Sequence, residues 1–358
     1  MSEERQPQSL RVVVTGASGN VGTSVVQALS EDPSVTSILG LARREPRWSC
    51  PKLDWARVDL AEDDDLDRFV AGADVVIHLA WLFQPARDPV TTWRANVLGS
   101  IRTFEAVARR GVPALIHASS VGAYSPGPKD SRVVESWPTH GWPAAAYTRE
   151  KAYLERYLDS FVPQNPGIRV VRMRPAFLFK RESASEQRRL FAGPLFAGGL
   201  ARPGLIPIVP DVSGLRVQAL HTADAAEAYR LAALGEVHGA FNLAAEPVLD
   251  APVLAEILGA RTVPTPRWAL RAPLAAAWHL HAVPATPDLF DAVLRLPLMD
   301  TGRARRELGW TPRHRSTDVI AEFLDGLREG AGMPTPPLTP RVKGGRLHEL
   351  RTGVGHRP

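Results

Sequence analysis

Leu10-Arg11-Val12-Val13-Val14-Thr15-Gly16-Ala17-Ser18-Gly19-Asn20-Val21-Gly22 is the stretch that decides the fold. Its first five residues form a short β-branched run, which reads as a buried strand. After the turn the chain reads as a helix to Ser30. Strand, glycine turn and helix in that order are the setting of a phosphate-binding loop. Gly16 permits the tight turn, Gly19 lets backbone approach a pyrophosphate, and Gly22 lets helix pack on strand. Ser18, Asn20 and Val21 complete a loop whose free N–H groups face the anion. The competing reading is a purely structural glycine turn, and the flanking strand and helix weigh against it. The spacing is Gly-x-x-Gly-x-x-Gly rather than Gly-x-Gly-x-x-Gly, since position 18 is serine.

Ser37 to Ala42 reads as a second strand ending at Arg43-Arg44. A carboxylate at that strand end would bond a ribose 2′-hydroxyl, whereas an arginine suits a 2′-phosphate. The pair therefore predicts NADP, with NAD as the alternative. A solvated basic loop is the competing reading. Trp55 to Val58 predicts a third strand, followed by Asp59-Leu60 and an acidic helix start at Glu62 to Asp65. Ala73 to Ala80 predicts a fourth strand, carrying His78 and ending in Leu79-Ala80. His78 reads as a packed residue, because the histidines are scattered without metal spacing. A helix over Trp93 to Arg110 carries Asn96, and Ala114 to Ala118 forms a fifth strand running into Ser119-Ser120-Val121-Gly122-Ala123-Tyr124. Strands alternating with helices predict an α/β fold with a doubly wound parallel sheet of Rossmann type. Ligands bind such sheets at the carboxyl ends of the strands. The glycine turn, Asp59, Leu79-Ala80 and Ser119-Ser120 should therefore crowd one edge.

Tyr147-Thr148-Arg149-Glu150-Lys151 lies in an Ala-rich run from Pro143 to Asp159 that reads as a helix. Four residues is about one turn, so the phenol and the ammonium share a face. A free tyrosine titrates near ~10, and proton exchange at neutral pH asks for a value about 3 pH units lower. A fixed ammonium supplies part of that preference for phenolate, and a second cation more. Tyr153 and Tyr157 repeat the spacing without a lysine and read as packing residues.

Composition narrows the classes. The chain has 358 residues, 44% hydrophobic and 23% charged, as in ordinary globular proteins. Cys50 is the only cysteine, which excludes an internal disulfide and points to a reducing, cytoplasmic compartment. The polar opening Met1 to Ser9 does not resemble a signal peptide. Trp268 to Val283 is apolar but short and holds Arg271, His279 and His281, so it is expected to be a core helix, not a membrane span. The net charge of +5 concentrates in the tail at Arg341, Lys343, Arg346, Arg351 and Arg357. The body is near neutral, without a basic stripe interleaved with aromatics, and nucleic acid is not an expected partner.

With these motifs in hand, the chain resembles the extended short-chain dehydrogenases/reductases of the NAD(P)-dependent epimerase/dehydratase superfamily. The matching pieces are Thr15-Gly16-x-x-Gly19-x-x-Gly22, Asp59-Leu60, His78-Leu79-Ala80, Asn96-Val97-x-Gly99, Ser119-Ser120-x-x-x-Tyr124, Tyr147-x-x-x-Lys151 and Arg174-Pro175, then His221-x-x-Asp224-x-Ala226 and Leu308-Gly309-Trp310-x-Pro312. They follow the family's order from Leu10 to about Gly330. The resemblance implies that Tyr147 is the acid/base and that Lys151 lowers its pKa and bonds the nicotinamide ribose. It implies that Ser120 holds the substrate oxygen, that Ser119 touches cofactor or backbone, and that Pro175 and Phe177 close over the nicotinamide. Relatives are often dimers through helices flanking the active site, so a homodimer is an expectation.

Hexose dehydratases place Thr-Asp-Glu where this chain has Ser120-Val121-Gly122, so that chemistry is not expected. Trp81, Phe83, Trp142 and Phe179, with Trp137, Phe177, Phe191 and Phe196, suggest an apolar substrate lining, with core packing as the competing reading. Arg181, Arg188, Arg189 and Arg202 could instead hold a diphosphate. The expected function is an NADP-preferring oxidoreductase reducing a ketone or aldehyde on a small, partly apolar substrate. The alternatives are a nucleotide-sugar epimerase with tightly bound NAD and a non-catalytic dinucleotide-binding scaffold or sensor. The expected organisation is a flexible segment 1–9, a dinucleotide domain over 10–175, a smaller mixed substrate lobe over 176–330 with segments returning to the sheet, and a flexible basic tail over 331–358.

Overall fold

The computed structural model describes residues 9–63, 65–196, 198–200, 202, 204–342 and 344–345, with Leu200 described by its backbone alone. The first half alternates strand and helix: β1 Leu10–Thr15, α1 Asn20–Ser30, β2 Val35–Ala42, β3 Leu53–Arg57, α2 Asp67–Val70 and β4 Val75–His78. Then come α3 Pro89–Trp93, a π-helical turn Arg94–Leu98, α4 Gly99–Arg109, β5 Ala114–Ala118, the short β6 Arg132–Val133, α5 Ala146–Gln164 and β7 Arg169–Pro175. The second half holds β8 Phe177–Phe179, α6 Ala184–Gln187, β9 Ile208–Asp211, β10 Ala219–His221, α7 Thr222–Leu234, β11 Gly239–Leu243 and α8 Ala251–Leu258. It continues through β12 Arg261–Pro264, α9 Arg267–His279, α10 Pro287–Val293, β13 Leu298–Met299, α11 Gly302–Glu307 and α12 Ser316–Glu329.

Seven strands form one parallel sheet in the order β11-β7-β5-β4-β1-β2-β3. The β-branched run of β1 explains its central place. Val12 and Val14 face the α1/α7 layer, and Val13 faces the α4/α5 layer. Buried on both faces, it has no polar side. Strand order reverses between β1 and β4, and the crevice at that switch point is where a ligand fits. The second half contributes sheet edge as well as lobe, because β11 pairs with β7. Trp310 is buried and donates from Nε1 to the Asp224 carbonyl at 2.7 Å, fastening the turn after α11 to α7.

Three expectations change. The acidic stretch from Glu62 starts no helix there; the only helix between β3 and β4 among the described residues is α2, a single turn. The expected core helix near Trp268 is α9, but it buries no residue; Trp268 is 71% exposed. Its apolar composition comes largely from alanines, which pack or face water with little penalty. Within residues 331–342, part of the segment expected to be flexible, Thr335 and Leu338 are buried, and Met333 N donates to the Leu338 carbonyl at 2.9 Å. Positions 1–8 and 346–358, the bulk of the two segments expected to be flexible, lie outside the described residues. No helix among the described residues is long and apolar enough to cross a membrane.

Candidate active site

A cleft of about 800 Å³ runs along the carboxyl edge of the sheet. Its phosphate end is set by sterics. Gly16 sits at φ +69°, and a Cβ there would lie 2.7 Å from the Ala80 backbone. At Gly22 a Cβ would lie 2.2 Å from the Gly16 carbonyl oxygen, so any side chain would push α1 off β1. Gly19 meets only that oxygen, at 3.3 Å, and leaves its other side open to the cleft. No side chain caps α1, so its first N–H groups are available to an anion. These features fit a dinucleotide pyrophosphate. Ser18, Asn20, Val21, Asp59, Leu60, Leu79 and Ala80 line the same end. Arg43 and Arg44 stand exposed on its rim, with no carboxylate partner among the described residues. Partial burial, then repulsion from Arg43, lowers the Arg44 pKa.

A polar chain braces this edge. The Thr15 hydroxyl accepts from the Leu79 and Ala80 N–H groups, each at 3.2 Å, and lies 2.8 Å from His78 Nδ1. His78 Nε2 is 2.8 Å from the Ser100 hydroxyl, which donates to the Asn96 carbonyl. Burial, then the Lys151 charge, pushes the His78 pKa down to about 3, so the ring is neutral and acts as a brace. Asn96 clamps the next loop by pairing with both N–H and C=O of Leu82, at 2.7 and 2.9 Å. It also donates to the buried Glu150 carboxylate at 2.7 Å. Asn96 and Ser119 were both expected at the cofactor. Both border the cleft, but their side chains are committed inward. The Ser119 hydroxyl donates to Glu155 at 2.5 Å, and Glu155 holds Arg174 at 2.8 and 2.9 Å. Arg174 in turn reaches the Tyr124 hydroxyl at 2.9 Å.

Ser120, Tyr147 and Lys151 meet at the centre. A Cβ on Gly122 would lie 2.7 Å from Tyr147 Cε1 and 3.3 Å from Ser120 Oγ, which shows how closely the three pack. The Ser120 hydroxyl accepts from Gly122 N at 2.9 Å, leaving its own proton to donate. Lys151 is buried, donates to the Ala118 carbonyl at 2.7 Å, and sits 3.4 Å above the Trp81 ring centroid. Burial lowers its pKa to about 7 against the opposing pull of Glu150 and Glu155. Tyr147 stacks on Phe83 with centroids 5.1 Å apart and meets Trp81 edge-on at 5.6 Å. Its pKa is raised to about 12 by burial, with Ser120 pulling the other way. The sequence led us to expect a lowered value. The difference is physical: the ammonium is directed to a carbonyl and an indole, and desolvation of the phenol prevails.

Beyond Tyr147 the cleft is a largely apolar chamber, with Glu186, Gln187 and Arg188 the polar residues of its wall next to Leu190. Phe83, Phe177 and Phe179 join Leu190, Phe191 and Phe196, Leu289 and Val293 of α10, Phe323 and Leu327 of α12, and Pro336-Pro337. Pro175 lines the passage between the two ends. Trp142, expected here, does not reach it. It lies outside the lining, under the Arg295 guanidinium at 4.2 Å, because its carbonyl is fastened to Thr148 at the start of α5. Of the four arginines weighed for a diphosphate, only Arg188 is among the described lining, and it donates to the Gly193 carbonyl at 2.9 Å. Arg181 pairs with Glu329, and buried Arg189 donates to the Pro337 carbonyl at 2.8 Å. Sequence reading expected helices at α10 and α12 but did not place them in the lining, nor Pro336-Pro337, nor Tyr229, which joins it from α7. No motif marks them; they arrive from far along the chain.

Comparison with known proteins agrees with this geometry. An uncharacterized Mycobacterium tuberculosis protein is 23% identical over 333 residues, 89% of this chain and 85% of that one. The 4-hydroxy-2-methyl-3-oxo-4-farnesyl-3,4-dihydroquinoline-1-oxide ketoreductase of Stigmatella aurantiaca is 27% identical over 171 residues, 48% of this chain and 51% of that one. The structure of Thermus thermophilus UDP-glucose 4-epimerase in complex with NAD shares the fold with a TM-score of 0.64 at 22% identity, covering 89% of this chain and 99% of that one. The model of the NAD dependent epimerase/dehydratase family matches residues 12–244, and the chain belongs to that family.

Proposed function

We propose that the protein is an NADP-preferring oxidoreductase that reduces a ketone or aldehyde on a small, largely apolar molecule. The observation that carries this reading is the apolar chamber beside Ser120, Tyr147 and Lys151, where a nucleotide sugar would need a cationic cradle. Of the arginines weighed for that cradle, Arg181, Arg188 and Arg189 are bound to other groups. The Stigmatella aurantiaca relative, named as a ketoreductase of a farnesyl-bearing dihydroquinoline oxide, is consistent with a carbonyl on an apolar skeleton. The Arg43-Arg44 pair at the end of β2 supports a 2′-phosphate.

Bound in the cleft, the reduced nicotinamide supplies hydride. The chain's own residues do the rest. Gly16, Gly19 and the start of α1 hold the pyrophosphate, and Arg43 and Arg44 the 2′-phosphate. Ser120 donates its hydroxyl proton in a hydrogen bond to the carbonyl oxygen and favours the negative charge that develops there. Tyr147, held protonated by burial, gives its proton to that oxygen as the alcohol forms. Lys151, titrating near neutrality, is suited to steady the resulting phenolate and to pass on a proton. Phe83 and Trp81 keep water from the phenol.

The test is a panel of apolar ketones and aldehydes with NADPH, following cofactor loss and alcohol formation together. Tyr147→Phe should lower kcat by about 10²- to 10⁴-fold. Undiminished turnover in that variant would reject the role given to Tyr147. Interconversion of a nucleotide sugar without net cofactor change would reject the reductase.

A further inference from the structure

Trp81 touches both Lys151 and Tyr147. Its ring centroid lies 3.4 Å from Lys151 Nζ, and its plane meets that of Tyr147 at 78° with centroids 5.6 Å apart. Trp81 stands just past β4, in a loop that is fastened on both sides of it to α5 and its surroundings. Asn96 pairs with both backbone groups of Leu82 and donates to Glu150 Oε2 at 2.7 Å, and Thr92 donates to Oε1 of the same carboxylate at 2.6 Å. Phe83 follows and stacks on Tyr147. The Ala80 N–H before Trp81 donates to the Thr15 hydroxyl. The indole is therefore held in place by its own backbone.

Lys151 is buried, and its ammonium carries three donors. The Ala118 carbonyl takes one at 2.7 Å. Glu150 and Glu155 of the same helix favour the charged form from a distance, because their oxygens are taken by Thr92 and Asn96, and by Ser119, Arg172 and Arg174. From the sheet, His78 of β4 and His117 of β5 face the same charge, and burial keeps both neutral. Burial thus works against the ammonium, and the electron-rich face of an indole is the best aromatic partner to offset it, more so where water is excluded. We infer that Trp81 is a positioning residue of the site: its indole face pins the Lys151 ammonium beside Tyr147 and keeps it charged where burial would otherwise discharge it. A leucine would occupy part of the space and leave the ammonium without that partner. The consequence for catalysis rests on the roles proposed above for Tyr147 and Lys151, whereas the contact itself does not.

The experiment reads Lys151 directly. The chain has five lysines, Lys52, Lys129, Lys151, Lys180 and Lys343, so carbon-13 NMR of lysine Cε in the cofactor-free protein can follow each titration, with Lys151→Met assigning the resonance. The tryptophan at position 81 is replaced by its mono-, di-, tri- and tetrafluoro analogues, which keep its shape and progressively drain the ring face. The attraction acts on the ammonium alone, so the Lys151 midpoint should fall with each fluorine, by about one pH unit across the series. Trp81→Leu should show the full fall. Lys129 and Lys180 are internal controls. Burial lowers each to about 8, and their partners lie elsewhere: the Arg216 and Val293 carbonyls for Lys129, and the Thr23 and Ser24 hydroxyls for Lys180. A Lys151 midpoint that descends while those two stay put supports the inference. A midpoint indifferent to fluorine, or three midpoints shifting together, would overturn it and return Trp81 to packing. The titration uses no substrate, so its outcome is separate from that of the carbonyl panel, which tests the reductase reading on its own.

Discussion

Replacing Glu155 by glutamine should damage both stability and catalysis, and the size of the effect follows from the surroundings. The Glu155 side chain is 0% exposed and that of Arg174 5%, with their two contacts at 2.8 and 2.9 Å. Arg172 adds a third at 3.0 Å and Ser119 a fourth at 2.5 Å. Burial alone would raise this carboxyl, but the Arg174 hydrogen bonds and charge, then Arg172 and Ser119, outweigh it and hold it at about 2. Against an ordinary value of 4.5, that difference corresponds to about 3 kcal/mol. Removing one partner of a buried pair independently suggests about 3–5 kcal/mol. Because the folded value is depressed, the contribution is fully present above about pH 4.5 and is lost as pH falls toward 2. Urea titrations at neutral pH and across the acid range would measure it. Glu155→Gln should lose about 3–5 kcal/mol at neutrality and should lack that portion of the acid slope. Ser119, released from its partner, should shift the adjoining Ser120 and lower kcat in whatever fraction remains folded. A loss below about 1 kcal/mol with an unchanged acid slope would refute the anchor.

Three further outcomes are expected. Arg43→Ala should weaken NADPH by about 10- to 100-fold while NADH changes little, as measured by equilibrium titration; equal losses would remove the 2′-phosphate contact. Lys151→Met should abolish turnover yet stabilise the fold at neutral pH. The folded Lys151 pKa, about 7, lies below the ordinary 10.5, so wild-type stability should climb relative to the variant as pH rises from 7 to about 10. Ending the chain at Gly330 removes Pro336 and Pro337 from the chamber wall and the buried Leu338 behind them in sequence. KM for the largest apolar substrates should rise while NADPH affinity holds; an unchanged KM would show that this wall plays no part in binding.

What could be read in the sequence follows from how local each signal is. β1, β2, β4 and β5 were legible because their apolar runs are largely buried, and β3 was found only approximately because Leu53–Arg57 has no β-branched run and no fully buried residue. The glycine turn was legible because Gly16 and Gly22 have no steric alternative. Tyr147 and Lys151 were found because one helical turn places them on one face. The chamber was legible in part: Phe83, Phe179, Phe191 and Phe196 were named from the sequence, whereas Val293, Phe323 and Pro337 lie far along the chain and join them only in space. Trp142 was misplaced because an aromatic's neighbours cannot be inferred from its position in a loop. The Pro-, Gly- and Arg-rich composition after Gly330 suggested mobility, yet Thr335 and Leu338 are buried there. β11 was overlooked because only Phe241, Asn242 and Leu243 of its five residues are fully buried, a pattern too short to read. The direction of the Tyr147 pKa depends on where the Lys151 ammonium points, and spacing says nothing about that.

The central claim is that Ser120, Tyr147 and Lys151 perform a net reduction on an apolar carbonyl compound. Its most direct test is the stoichiometry of alcohol formed to NADPH consumed, in wild type and in Tyr147→Phe. The account predicts one alcohol per NADPH in wild type and a rate at least about a hundredfold lower in the variant. Turnover with no net consumption of NADPH, or a variant as fast as wild type, would contradict it.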